Sequence, residues 1–153
     1  MVMDSRDEEL YAKHAEELIR FATTLVGPAM AEDLTTSSFL SAVSSPAWKG
    51  VSEPRAYLFR VVLNQSRSIR RADRRRAARE HAAAQGAEVE PSTLSFEVRD
   101  AISRLSLDER SVLYLAYWLD FPVSEIAEVL GMSRRTVERS LTRARRQLEE
   151  LLA

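Results

Sequence analysis

The sequence predicts an all-α protein of two small helical domains, at 5–80 and 96–153, joined by a flexible linker at 81–95. Three observations carry that expectation. Apolar residues recur at three- and four-residue spacing along most of the chain, with almost none of the two-residue alternation that a half-buried strand requires. The stretch "EHAAAQGAEVEPSTLS" holds few large apolar groups beside a glycine, a proline and several acids, which is a linker composition. Near the end, two amphipathic segments meet at Gly131 with the spacing of a helix-turn-helix.

The elements follow in order. "EELYAKHAEELIRFATTLVG" reads as a first helix, stopped by Gly27-Pro28. A second helix is expected from about Ala29 to Ser44, and "SSPAWKGVSE" reads as a loop. Pro54 suits the first turn of a long third helix, "PRAYLFRVVLNQSRSIRRADRRR". Leu58, Val61, Val62 and Ile69 share one side of it, and Arg60, Asn64, Arg67, Arg71 and Arg74 share the other. Beyond the linker, Ser106-Leu107-Asp108-Glu109 is a capping box that opens the helix "LDERSVLYLAYWLD".

The last pair of helices is the sharpest pattern. Val123, Ile126, Ala127 and Leu130 fall on one face, Gly131 stops that helix, and Ser133 can cap the next. The final helix buries Val137, Leu141, Ala144 and Leu148. At 100° per residue, Arg135, Arg139, Thr142 and Arg146 then point away from the buried side, with Glu138 and Arg143 flanking them. Arginines so placed can bond guanine bidentately or reach phosphate.

Charge supports this reading more than the net value of −1 suggests. Residues 60–79 carry eight arginines against Asp73, whereas 1–59 carry five bases against nine acids. Local cation density is what counterion release from nucleic acid requires. Trp48 and Lys49 precede the basic helix and Tyr57 lies in its first turn, a pairing of aromatics and cations that can stack unpaired bases. For Trp48 and Tyr57, burial in the core is an equally good reading.

Other function classes find little support. An enzyme is not expected, because only His14 and His81 are available and neither a phosphate-cradling glycine loop nor a Ser/His/Asp arrangement stands out. The pairs Glu8-Glu9 and Glu16-Glu17 read as solvated faces. With no cysteine, thiolate metal sites and disulfides are excluded, and no metal or cofactor is expected. No apolar stretch approaches the ~18–20 residues of a membrane span. The acidic start "MVMDSRDEEL" is unlike a signal peptide, so a cytoplasmic protein without membrane insertion is expected.

Taken together, "AEDLTTSSFL", "AYLFRVVLNQ" with the arginines after it, and "SEIAEVLGMSRRTVERSLTRAR" resemble the extracytoplasmic-function (ECF) class of bacterial sigma factors, in order and spacing, over nearly the whole chain. The resemblance implies that 5–80 is sigma region 2, which docks on the clamp of core RNA polymerase and opens the promoter −10 element. It implies that 96–153 is region 4, which reads the −35 element and contacts the polymerase flap. Carried over residue by residue, the −35 contacts are Arg135, Glu138, Arg139, Thr142, Arg143 and Arg146. The −10 contacts are Trp48, Lys49, Asn64, Arg67, Ser68 and Arg71. Core polymerase contacts are Asp33, Leu34, Thr36, Ser37 and Phe39. The implied partners are core RNA polymerase, promoter DNA and an anti-sigma factor that occludes the polymerase-binding faces.

The chain departs from the family pattern at several of these positions. Thr36 and Ser37 stand where a Gln-Glu pair is usual, Tyr57 where tryptophan is, Leu63 where arginine is and Ser68 where an acid is. Arg135, Glu138 and Arg139-Ser140 replace common Gly, Lys and Ser-Arg positions of the recognition helix, which implies a different −35 sequence. Thr36 and Ser37 keep open two alternatives: a sigma-like DNA-binding regulator, or a decoy for an anti-sigma factor, each with weakened grip on core polymerase. A core-polymerase pull-down separates these from a sigma factor.

Overall fold

Asp4 opens the first helix by accepting a hydrogen bond from the Asp7 backbone N–H at 2.8 Å, as an N-cap does. The structure, a computed structural model, describes residues 3–80 and 96–153. The expected linker at 81–95 lies outside the described residues. All regular elements among the described residues are helical. Helix α1 spans Ser5–Val26, α2 Pro28–Ser44 and α3 Pro54–Glu80, with one turn of 3-10 helix at Trp48–Gly50 inside the expected loop. Pro28 occupies the first turn of α2, where its missing N–H costs nothing. In the second half, α4 spans Phe96–Ser103, α5 Leu107–Leu113, α6 Val123–Leu130 and α7 Arg134–Leu152.

Both halves build cores from the apolar stripes the sequence carries. Leu18, Phe21, Ala22 and Leu25 of α1 meet Leu34 and Phe39 of α2 and Leu58, Phe59, Val62 and Leu63 of α3. The rings of Phe21 and Phe59 pack edge to face at 4.9 Å. In the second half, Val112 and Leu115 pack with Ile126, Leu130, Val137 and Leu141. Leu148, expected in this core, is only half-buried, because the last turns of α7 run past it.

The helix after the capping box is not uniform. The box forms as expected, with Glu109 N–H donating to Ser106 Oγ at 3.1 Å and Ser106 N–H to Glu109 Oε2 at 3.1 Å. After Leu113 the coil widens into a π-helical segment, Tyr114–Trp118. That widening places Tyr117 and Trp118 outward, 53% and 56% exposed, and stacks the Trp118 ring on Tyr114.

The two halves share one continuous apolar core. Phe21 of α1 meets Tyr114 at 5.5 Å between ring centroids, and α3 lies along α5 and α6. Arg55 of α3 stacks its guanidinium on Phe121 at 4.7 Å. A buried polar link is made by Arg110, 8% exposed. It donates to Leu105 O at 3.0 Å and Ser103 O at 2.5 Å in its own half, and to Leu25 O at 2.8 Å at the end of α1. Burial pulls its pKa down to about 10.

Candidate nucleic-acid and polymerase interface

The helix-turn-helix forms where the pattern placed it. Gly131 adopts the left-handed conformation at φ 66°, and Met132 N–H donates back to Ala127 O at 2.9 Å, closing α6. Ser133 Oγ accepts from Thr136 N–H at 3.0 Å and starts α7. With Val137, Leu141 and Ala144 buried, the opposite face carries Arg135, Glu138, Arg139, Thr142, Arg143 and Arg146, and all six are exposed. Arg143 is held at one end, its Nη1 3.8 Å from Oε1 of the nearly buried Glu109. Among the described residues, Arg135, Arg139 and Arg146 have no ion-pair partner, so their guanidiniums face solvent.

The basic face of α3 and the 3-10 turn before it differ from their expected form in three ways. Trp48 is 4% exposed, packed against Phe39 and Tyr57, and its indole N–H donates to Asp7 Oδ1 at 2.8 Å. Its ring is therefore a core wedge and offers no face on which a base can stack. Arg67 donates to Asp108 Oδ1 at 2.5 Å and 3.2 Å, and to Asn64 Oδ1 at 3.1 Å. Arg60, expected among the solvent-facing groups, donates to Glu128 O at 2.5 Å and Val129 O at 3.2 Å at the end of α6. Lys49, Asn64, Ser68 and Arg71 remain exposed, with Arg71 Nη2 donating to Ser68 Oγ at 3.3 Å.

On α2, Asp33, Thr36 and Ser37 face solvent, whereas Leu34 and Phe39 are buried. The last two had been expected as direct contacts to a partner. A 17-residue helix has an inner face, and their side chains are on it, so their role is to hold α2 in place. Ser37 and Ser38 both donate to Gln65 Oε1, at 3.2 Å and 3.0 Å. Beside them a hollow of about 520 Å³ is lined by Asp33, Leu34, Ser37, Gln65 and Ile69, among others.

Some features escaped the sequence reading. Glu17, read as part of a solvated face, pairs with Arg55 from α3, and burial lowers the pKa of its neighbour His14. An apolar groove of about 680 Å³ runs between α1 and the second half, lined by Ile102, Leu113, Tyr117, Trp118 and Leu148 with Arg145 at its rim. Arg145 donates to the Tyr117 hydroxyl. The exposed pair Tyr117-Trp118 was visible in the sequence, but only the π-helical widening turns both outward. The described residues hold no cluster of metal-ligating side chains and no helix long and apolar enough to cross a membrane.

Comparisons with known proteins agree with this geometry. Residues 10–76 match the model of sigma-70 region 2, and 95–148 match sigma-70 region 4. The chain is 34% identical to an RNA polymerase sigma-E factor of Streptomyces antibioticus, covering 95% of this chain and 83% of that one. It is 32% identical to the ECF RNA polymerase sigma factor SigL of Mycobacterium tuberculosis, covering 91% and 84%. Among solved structures, it resembles the sigma factor RpoE of Bartonella quintana in complex with the anti-sigma factor NepR. The TM-score is 0.80 over 95% of both chains at 23% identity, so this likeness speaks for the fold. It also resembles CnrH in complex with the cytosolic domain of CnrY, at 27% identity and a TM-score of 0.67, over 97% of this chain and 89% of that one.

Proposed function

The chain belongs to the ECF group of the sigma-70 family, and on that premise we propose how its own residues direct promoter-specific initiation of transcription. Residues 5–80 act as region 2 and 96–153 as region 4. In the bound state, α7 enters the major groove of the −35 element, with Arg135, Arg139 and Arg143 toward base edges and Arg146 toward phosphate. Glu138 and Thr142 lie between them, an acceptor and a mixed donor-acceptor for neighbouring bases. Lys49, Asn64, Arg67, Ser68 and Arg71 serve the −10 element, with Trp48 fixing the loop that carries Lys49. Asp33, Thr36 and Ser37 face the polymerase clamp, on a helix anchored by Leu34 and Phe39.

The carrying observation is the α7 face, where six polar groups are exposed opposite a buried Val137–Leu141–Ala144 stripe. The reaction chemistry belongs to the polymerase, and this chain contributes recognition without a covalent step. Its place of action is the cytoplasm, where core polymerase works. The groove beside Tyr117 and Trp118 suits a helical partner such as the polymerase flap or an anti-sigma factor.

Run-off transcription with core polymerase tests the proposal across a randomised promoter library. Promoter-dependent transcripts that appear only with this chain added support it. Failure to bind core polymerase, with DNA binding intact, would establish the second reading, a sigma-like regulator. The observation favouring that reading is that Thr36 and Ser37 occupy the exposed α2 face without the usual Gln-Glu pair.

A further inference from the structure

Five elements wall the groove beside Tyr117 and Trp118. The end of α1 gives Thr23, α4 gives Ile102, α5 gives Leu113, the π-helical segment gives its two outward aromatics and α7 gives Leu148. The volume of about 680 Å³ falls within the ~300–1,000 Å³ of small-molecule sites, and the lining is mostly apolar with a few polar groups, as in such sites. Two turns of helix with their side chains fill about 1,000 Å³. A helical partner can therefore cover the mouth, but its body does not enter, and the interior suits something smaller. π-helical turns are rare and often mark functional sites. This one builds the rim, with Tyr117 and Trp118 more than half exposed.

Charge around the groove is one-sided. Arg20, Arg99, Arg110 and Arg145 line it against a single acid, Glu149. Arg110 is spent on three carbonyls, and Arg20 pairs with Glu16 at 2.6 Å. Arg145 is placed differently. Its Nε donates to the Tyr117 hydroxyl, and its guanidinium carbon lies 5.4 Å from the Tyr117 ring centroid, which holds it against the groove wall. Among the described residues it pairs with no carboxylate, so its two Nη groups stay open to an anion. A planar fork of N–H donors matches the two oxygens of a carboxylate. The geometry points to a ligand site for an amphipathic monocarboxylate, with an apolar chain or ring in the groove and its carboxylate on Arg145.

This site goes beyond promoter recognition and does not rest on it. The test uses the full chain and dodecanoate below its micelle concentration, with dodecan-1-ol as the neutral counterpart. Trp118 on the rim is 56% exposed and Trp48 only 4%, so a change in tryptophan emission reports on the groove. Dodecanoate should bind saturably at one equivalent, shift the emission to the blue and raise the melting temperature. Trp118→Phe should abolish the emission shift while binding by calorimetry persists. Arg145→Gln should weaken dodecanoate about tenfold and leave dodecan-1-ol unchanged. Ser103→Trp, at an exposed lining position, should weaken both ligands alike. If Arg145→Gln binds dodecanoate as tightly as the native chain, the carboxylate assignment is wrong. Uptake of many equivalents without saturation, or no uptake at all, would overturn the site and leave the proposed promoter function standing.

Discussion

Arg110 offers the most decisive test of how the two regions are joined. Its guanidinium is nearly buried and donates to three carbonyls, one of them Leu25 O across the boundary between regions. Burial pulls its pKa down to about 10, so the folded state carries roughly 3 kcal/mol of cost for keeping the charge there. Arg110→Met removes that cost and fills similar volume, but leaves three carbonyls without their donor, at about 1–3 kcal/mol each. Ser103 lines the groove, where water can reach its carbonyl, so the lower end applies to that one, whereas the Leu25 and Leu105 carbonyls are buried. With about 1 kcal/mol for the Ser103 carbonyl and about 2 kcal/mol for each buried one, against roughly 3 kcal/mol of relief, the net loss is about 2 kcal/mol. Arg110→Lys keeps a buried charge and reaches at most one carbonyl well, so it loses two charge-assisted bonds without relief and should cost about 3 kcal/mol or more. Urea unfolding followed by circular dichroism measures both. The expected order is therefore inverted from chemical similarity, with methionine tolerated better than lysine. A lysine variant within 1 kcal/mol of the native chain would refute the reasoning, because three fixed carbonyls would then not be what holds this charge.

Four further outcomes follow from named contacts. Arg139→Ala or Arg143→Ala should each cost about 1–3 kcal/mol of −35 binding by holoenzyme and relax one or two base positions, whereas Arg146→Ala should weaken all sequences alike and reduce the salt slope by about one. Equal losses on every sequence for all three would leave α7 as a plain basic surface. Thr36→Gln with Ser37→Glu should tighten binding to core polymerase in a pull-down titration. Trp48→Phe should lower stability by about 1–3 kcal/mol, because Asp7 loses its buried donor, while DNA affinity of the folded fraction stays unchanged. Burial lowers the His14 pKa below its usual 6.5, so the unfolded chain binds the proton more readily. Its contribution is neutral above about pH 6.5 and turns against the fold as pH falls from there through the lowered folded value. Chemical denaturation across that window should show His14→Gln flattening the acid loss.

Much of the fold could be read from the sequence because its signals are local. Helical periodicity, Pro28 and Pro54 in first turns, the Ser106–Glu109 capping box and the left-handed Gly131 each act within a few residues. The exposed arginines of α7 follow from the same arithmetic, since burying Val137, Leu141 and Ala144 dictates which side is left over. Family membership was legible for a related reason, as its motifs are themselves short helical segments with fixed spacing.

Contacts between distant elements had no such signature. Periodicity assigned Arg60 and Arg67 to a solvent face, because it separates apolar from polar and cannot say that a second region brings acceptors to the polar side. Trp48 was balanced between base stacking and burial until Asp7, 41 residues away in sequence, supplied a buried acceptor for its indole N–H. Leu34 and Phe39 were expected at a partner surface on the strength of family motifs, yet a helix packed on two neighbours turns them inward. The helices, their faces and the exposed arginines of α7 were legible along the chain, because they depend on interactions a few residues long. Which polar side chains remain available was settled by long-range packing, because a buried charge such as Arg110 is tolerated only where chain segments remote in sequence converge to bond it.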